Sequence, residues 1–192
     1  MSSEKDVVYA LREGIPGAVE NMVKLFGDRL LKSSYLLCGN EANARDLVQE
    51  TFLQAMQAIR RFKEKSSFYT WLYGILLNLN RRRIRNDRRL TFPGELPEPP
   101  NSHSPDFEFQ MDRQTIYSHL HRIIQSLSTP HREVVILRYF DGLKIEEISN
   151  VLSISKGTVK SRLFYASEQI RKKMPGDLNL FRLHGTKEKE KQ

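Results

Sequence analysis

Cysteines and long apolar runs are both scarce in this chain. The first shortage excludes an internal disulfide, and the second argues against a membrane-spanning protein. Its 192 residues include one cysteine, Cys38, so no disulfide can form within the chain. Cys38 follows a short apolar run and is expected to be a small buried residue. No apolar run approaches the ~20 residues that a membrane-spanning helix needs, and the first residues carry no signal-peptide pattern. We therefore expect a cytoplasmic protein with no membrane insertion.

Residue patterns typical of enzyme active sites and metal sites are also missing from the sequence. The five histidines show no metal-ligand spacing relative to Cys38 or to acidic residues. His119 and His121 cannot face the same side of one helix. The sequence contains no glycine-rich phosphate loop and no nucleophile motif. We expect no catalytic residue, no metal and no cofactor, and predict that the protein is not an enzyme.

Basic residues are absent from one internal segment, which divides the chain. Residues 91–112 contain no Lys or Arg, five acidic residues and five of the eight prolines. Such a segment cannot build a core and predicts an extended linker. The rest of the chain is basic, with a net charge of +8 for the whole, which suits a polyanion such as nucleic acid. We predict domains over 1–90 and 113–175, a linker over 91–112 and a charged tail over 176–192.

Both basic blocks show helical periodicity, and no segment shows a clear strand pattern. In the first block, apolar residues recur at three- and four-residue steps from Val19 to Leu30, as one face of a helix requires. The predicted fold class is therefore all-α, with two small helical domains joined by the linker. Further predictions are a break at Gly39, a helix from Asn40 or Asn43 with Met56 on its apolar side, a polar loop over 63–67 and a helix from Ser67 to about Arg85.

The second block contains a helix-turn-helix pattern. Apolar residues are spaced as the inner faces of two helices over Lys144–Leu152 and Ser155–Lys173, with a two-residue turn between them. Ser155 can cap the second helix, whose outward side chains can reach base edges and phosphates in a major groove. An earlier helix is predicted to have Thr129 as its cap and Pro130 at its first position. The candidate duplex-reading residues are Lys156, Thr158, Lys160, Ser161, Arg162, Phe164 and Tyr165.

In the first block, an aromatic segment lies between a basic loop and a cluster of arginines. The segment runs from Phe68 to Tyr73, and aromatic rings interleaved with basic residues suit single-stranded nucleic acid, because each stacked base contributes ~1–3 kcal/mol. Phe68 and Tyr69 either contact DNA or support the loop, and the residues leave both alternatives open. Trp71, Leu72 and Ile75 are expected in the core.

These motifs together resemble the extracytoplasmic-function (ECF, group IV) sigma factors of the sigma-70 family. Asp46–Phe52 (DLVQETF) resembles sigma region 2.2, and the segment from Arg60 to Arg85 resembles regions 2.3 and 2.4. The segment from Leu127 to Leu163 resembles region 4. The resemblance covers residues from about 15 to 173, with both domains in the expected order.

The resemblance implies a function that composition and spacing do not establish. Family members bind core RNA polymerase through its β′ and β subunits, recognise the −35 and −10 promoter elements, and melt the promoter to initiate transcription. The region 2.2 helix would dock on a coiled coil of β′, and the second helix of the helix-turn-helix would read duplex DNA at −35. Many relatives also have an anti-sigma factor. The implied polymerase-binding residues are Asp46, Gln49, Glu50 and Gln54.

At the −10 element the resemblance implies capture of single-stranded DNA. One base would be flipped out of the stack into a pocket built by the loop from Lys63 to Phe68 and the following helix, with Asn78 beside it. The arginines from Arg81 onward would hold the DNA backbone. The implied −10 set is Lys63, Ser66, Ser67, Phe68, Tyr69, Asn78, Arg81, Arg82 and Arg85.

The sequence departs from the family pattern at four positions, and alternatives stay open. Gly74 stands where a basic residue is common, Arg82 where Asn or Asp is common, and Tyr165 and Ser167 where arginines are common. The bases that are read are therefore not predictable. The acidic linker either mimics RNA electrostatically or is a plain spacer. The alternative function is that of a conventional helix-turn-helix regulator.

Overall fold

The structure, a computed structural model, describes residues 3–90 and 113–173. Regular structure within these ranges is entirely helical, which confirms the predicted all-α class. A 3₁₀ turn over Ile59–Arg61 follows the third helix, and a π-helical turn over Ile136–Phe140 follows the sixth. The helices are α1 (Glu4–Glu13), α2 (Ala18–Cys38), α3 (Glu41–Ala58), α4 (Phe68–Leu90), α5 (Arg113–Gln125), α6 (Thr129–Val135), α7 (Ile145–Leu152) and α8 (Lys156–Lys173).

Local sequence explains where the first four helices begin and end. Ser3 and Asp6 form a reciprocal capping box at the start of α1. Gly39 ends α2 in the left-handed conformation at φ 72°, and Asn40 caps α3 by accepting a hydrogen bond from the Asn43 N–H. The predicted break, the new helix and the polar loop before Phe68 are thus confirmed. The buried core of this domain includes Met22, Leu30, Leu47, Leu72, Leu76 and Leu77.

The second domain holds the predicted helix-turn-helix. Ser155 Oγ accepts from the Thr158 N–H at 3.0 Å, which caps α8 as expected. The cap of α6 is one residue earlier than predicted, because Ser128 is the flanking residue and Thr129 is already helical. After the π-helical turn, Gly142 reverses the chain toward α7 with φ 66°, a conformation that favours glycine.

The two domains pack directly against each other, a feature that the sequence did not predict. Buried residues of the second domain, including Ile136, Leu137 and Ile148, belong to the same apolar cluster as the core of the first. The contacting elements are α2 and α4 on one side and the segment from α5 to α7 on the other. The linker between Leu90 and Arg113 and the tail after Lys173 lie outside the described residues.

Candidate polymerase and nucleic-acid interfaces

The exposed face of α3 carries the residues predicted to bind polymerase. Asp46 and Gln49 are exposed, whereas Glu50 and Gln54 are half-buried. Glu50 forms an ion pair with Arg83 on α4, with 2.9 Å between Oε2 and Nη2. Glu50, predicted to contact polymerase, is therefore paired in this arrangement with Arg83, which was predicted to contact DNA.

Two apolar residues extend this face, and the sequence analysis did not identify them as functional. Leu53 lies one helical turn from Gln49 and is 51% exposed. Met56, predicted on the buried side, is 38% exposed, because the buried stripe runs through Phe52 and Ala55 of α3 and continues to Ile59 in the 3₁₀ turn. Exposed apolar side chains inside a polar rim are typical of a protein-binding surface. The stripe of Asp46, Gln49, Leu53 and Met56 is called the docking face below.

Phe68 requires a correction. Its ring is fully buried and packs against Phe26, Phe62 and Trp71, with ring centroids 5.5, 5.3 and 5.4 Å away. Its backbone N–H donates to the carboxylate of Glu4. A ring enclosed in this way cannot stack on a base in this arrangement, so the packing favours the alternative in which Phe68 supports the loop.

Tyr69 is also buried, but partly by the second domain. Its hydroxyl donates to Asp141 Oδ1 at 2.5 Å, and the Arg29 guanidinium carbon lies 3.6 Å from the ring centroid, a cation–π contact. Burial, reinforced by the adjacent carboxylate, raises the pKa of Tyr69. Tyr69 therefore cannot contact DNA while the domains are docked.

A small pocket of about 250 Å³ lies where the loop meets α4. Asn78 is exposed at its wall. Trp71 and Ile75 pack against the core, as predicted, but they are only half-buried and also line the pocket. A Cβ built on Gly74 would meet no atom within 4 Å, so this position leaves the pocket open. We call this the base pocket, after the base capture that the family resemblance implies for this region. It is lined by Ser66, Thr70, Trp71, Gly74, Ile75 and Asn78 of the first domain and by Asn150 and Val151 of the second.

The arginines of α4 differ in how they are engaged. Arg82 and Arg85 are exposed. Arg81 forms a bidentate pair with Glu133 of the second domain, at 2.9 and 2.6 Å. This hydrogen-bonded pairing raises the pKa of Arg81, and Glu133 is only 2% exposed. Of the loop residues, Lys63, Ser66 and Ser67 are exposed. A continuous basic strip along α4 is therefore interrupted at Arg81 by the second domain.

The outer face of α8 is accessible even with the domains docked. Lys160 and Ser161 are exposed, and Phe164 and Tyr165 are 63% and 59% exposed, with their rings edge-to-face at 5.5 Å. Arg162 and Thr158 are half-buried; the Thr158 hydroxyl lies 2.9 Å from that of Ser155. Lys156 is exposed and pairs with Glu146 at 2.5 Å. The residues predicted to read duplex DNA thus lie together on α8. The most accessible of them on its outer face are Lys160, Ser161, Phe164 and Tyr165.

Lys160→Ala is expected to weaken binding to duplex DNA that contains the −35 element. A long donor on the outer face of α8 can reach a base edge or phosphate, and loss of one such contact costs about 1–3 kcal/mol. Titration by fluorescence anisotropy measures this as a roughly five- to 150-fold rise in Kd. Lys172→Ala removes the same charge from the far end of α8 and should change Kd much less. Equal losses in both variants would show that only net charge matters.

Two negative findings apply to the described part of the chain. Within residues 3–90 and 113–173, no helix is both long and apolar enough to cross a membrane. The same residues contain no group of three metal-ligating side chains.

The geometry defines a two-domain helical protein that presents the outer face of a helix-turn-helix and a separate pocket beside a basic helix. The family model of sigma-70 region 2 matches residues 22–90, and that of sigma-70 region 4 matches residues 117–170. The chain thus belongs to the sigma-70 family, among its ECF members. It is a transcription initiation factor and not an enzyme.

Individual relatives agree with this assignment. The ECF RNA polymerase sigma factor SigW of Bacillus subtilis is 28% identical over 189 residues, which cover 88% of this chain and 96% of the relative. The ECF RNA polymerase sigma-E factor of Escherichia coli is 34% identical over 143 residues, 67% of this chain and 72% of the relative. The sigma factor RpoE of Bartonella quintana, solved with the anti-sigma factor NepR, shares the fold with a TM-score of 0.68 and 23% identity, covering 82% of this chain and 96% of that one.

Proposed function

We propose a division of labour among the three surfaces of this sigma factor. The docking face of α3 binds core RNA polymerase, through β′. The outer face of α8 reads duplex DNA at −35, and the base pocket holds one unpaired base of the −10 element. Contacts to β come through the rest of the chain, as the family resemblance implies.

The observation that carries this proposal is the composition of the base pocket. An indole and an amide side chain, Trp71 and Asn78, face the same small space, and exposed Arg82 and Arg85 follow on the same helix. The indole can stack on a base, the amide offers both a donor and an acceptor to a base edge, and the arginines can hold phosphates.

Promoter opening requires that the protein bind the single strand better than the duplex, because equal affinity for both shifts no equilibrium. Stacking on Trp71 and hydrogen bonds to Asn78 are available only to a base that has left the helix. Phosphate contacts to Arg82 and Arg85 are available in both states. The pocket therefore drives opening, and the arginines add affinity without driving it.

The test is promoter opening by holoenzyme reconstituted from core polymerase and the full chain. Asn78→Ala is expected to reduce opening while closed-complex binding persists. Permanganate footprinting of unpaired thymines reports the first quantity, and a gel-shift titration reports the second. The matched control, Arg82→Ala with Arg85→Ala, should weaken both states together and make binding less dependent on salt. Normal opening by Asn78→Ala would place base capture elsewhere.

We also propose a cytoplasmic location, where core polymerase and promoters are found, and regulation by an anti-sigma factor. Two solved relatives support the second point: RpoE of Bartonella quintana was solved with NepR, and CnrH with the cytosolic domain of CnrY. Whether the acidic linker mimics RNA or is a spacer stays a prediction, because the linker lies outside the described residues.

A further inference from the structure

A buried carboxylate of the second domain is inserted into the first. Asp141, in the turn before α7, is 5% exposed. Ser33 Oγ donates to its carboxylate, lying 2.9 and 3.0 Å from the two oxygens, and the Tyr69 hydroxyl donates at 2.5 Å. Arg29 Nε lies 3.6 Å from the carboxylate, and its guanidinium also donates to the Asp141 carbonyl. We call Arg29, Ser33 and Tyr69 the carboxylate socket.

The Asp141 side chain has its polar partners in the other domain. Burial raises the pKa of this carboxyl, although the hydroxyl donors and Arg29 favour its ionised form. A buried carboxylate is tolerated only when it is paired and hydrogen-bonded, and here α2 and α4 provide those partners. The socket therefore offsets part of the cost of burying this carboxylate, and it can do so only while the domains are docked.

Three further contacts connect the same surfaces. Arg81 pairs with the buried Glu133. Arg132 donates to the Leu37 carbonyl at 2.8 Å, and the Gln125 amide donates to the Leu36 carbonyl at 2.7 Å. The hydrogen bonds from Arg132 and Gln125 satisfy carbonyls at the C-terminal end of α2, which have no partner inside the helix. The interface between the domains therefore combines an apolar contact with specific hydrogen bonds and an ion pair.

In the docked arrangement the second domain forms one wall of the proposed −10 site, whereas the proposed −35 site has no such neighbour. Asn150 and Val151 of α7 line the base pocket from the side of the second domain. Arg81 and Tyr69 are held by Glu133 and Asp141. The outer face of α8 has no such cover, since Phe164 is 63% exposed. Only one of the two proposed DNA-binding surfaces is therefore in contact with the other domain.

We propose that the second domain is an intramolecular cover for the base pocket, held closed by Asp141 in the carboxylate socket. The unbound chain can then bind duplex DNA through α8 but cannot capture an unpaired base until the domains separate. This inference rests on the function proposed for the base pocket. Affinity for single-stranded DNA is reduced in proportion to the fraction of molecules that are open.

The first measurement is the distance between the domains in the full chain. Spin labels at Glu20→Cys and Lys172→Cys, both exposed positions, report this distance by electron double resonance in a Cys38→Ser background. The chain without further substitution should give one narrow distribution. Asp141→Ala should broaden it toward longer distances, because the socket hydroxyls lose their acceptor. Glu168→Ala, which removes a carboxylate paired only within α8 at 2.7 Å, is the matched control and should leave it narrow.

The second measurement is DNA affinity of the same proteins. Asp141→Ala should bind a single-stranded −10 oligonucleotide about tenfold more tightly, as expected when two or three hydrogen bonds that favour closure are lost. Binding of −35 duplex should not change, which also shows that the second domain remains folded. Arg29→Ala with Ser33→Ala, which alters the socket from the first domain, should reproduce both effects.

Three results would overturn the inference: a broad distribution before Asp141 is changed, a narrow one after both sets of socket substitutions, or separated domains without a gain in single-strand affinity. Failure of the underlying function gives a different result. If Asn78→Ala does not weaken single-strand binding in the opened Asp141→Ala protein, the base pocket is wrongly assigned. The closure measured by the spin labels would then stand by itself.

Discussion

Leu53→Arg is expected to abolish binding to core RNA polymerase while leaving the helical fold intact. The side chain is 51% exposed at the centre of the docking face, so the free protein loses little when it is replaced. At an interface, an exposed apolar residue surrounded by polar groups acts as a buried anchor. A charge introduced at the centre of such a desolvated apolar contact, with no partner to pair with it, costs several kcal/mol, roughly a hundredfold or more in Kd.

The matched control for this variant is Leu25→Arg. Leu25 is 46% exposed on α2, so the same chemical change is made at a similarly exposed leucine outside the docking face. Pull-down with core enzyme measures binding, and circular dichroism measures helix content. Asp46→Arg, one turn beyond Gln49 on the same face, should behave like Leu53→Arg. Equal binding by Leu53→Arg and Leu25→Arg would show that α3 does not dock on polymerase.

The sequence predicted helix positions well because their determinants are local. The left-handed Gly39 and the capping Asn40 are read from neighbouring residues, as is the capping of α8 by Ser155. The periodicity of apolar residues also located the core of α3, apart from Met56. The family motifs also pointed to polar residues of α3 and α8 that the structure places on the surface, such as Asp46 and Lys160, but they gave no sign of Leu53 or Met56.

The sequence did not predict how the two domains meet, because that contact joins residues far apart in the chain. Nothing near Asp141 indicates that its partners are Ser33 and Tyr69, more than 70 residues away. Arg81 was predicted to hold DNA, and its local pattern gives no sign of Glu133. Gly39 also takes part, since a Cβ there would lie 2.9 Å from the Gln125 side chain. The local sequence explains glycine at this position by its left-handed backbone conformation, but it gives no sign of this close contact with the second domain.

Phe68 shows the same limit within one domain. An aromatic residue beside a basic loop is consistent with base stacking or with packing, and only the positions of Phe26, Phe62 and Trp71 decide between them. Those three residues come from α2, from the end of the 3₁₀ turn and from α4. Helical spacing predicts the contact with Trp71, three residues further along α4, but not the contacts with Phe26 and Phe62.

Phe68→Ala is therefore expected to lower the free energy of unfolding by about 3–5 kcal/mol, the usual cost of truncating a buried phenylalanine. The ring fills a site enclosed by three other aromatic rings, so the surroundings cannot collapse easily into the space it leaves. Urea unfolding monitored by circular dichroism measures the effect. The slope with denaturant should be checked, because two docked domains need not unfold in one step.

Lys63→Ala is the control in the adjoining loop. Lys63 is exposed, so its replacement should change stability by no more than about 0.5 kcal/mol, while removal of its charge weakens single-strand binding and lowers its salt dependence. The two variants should thus separate packing from DNA contact. If Phe68→Ala instead kept its stability and lost single-strand affinity, its ring would be a base-stacking surface, because a ring required only for packing must lower stability when it is removed.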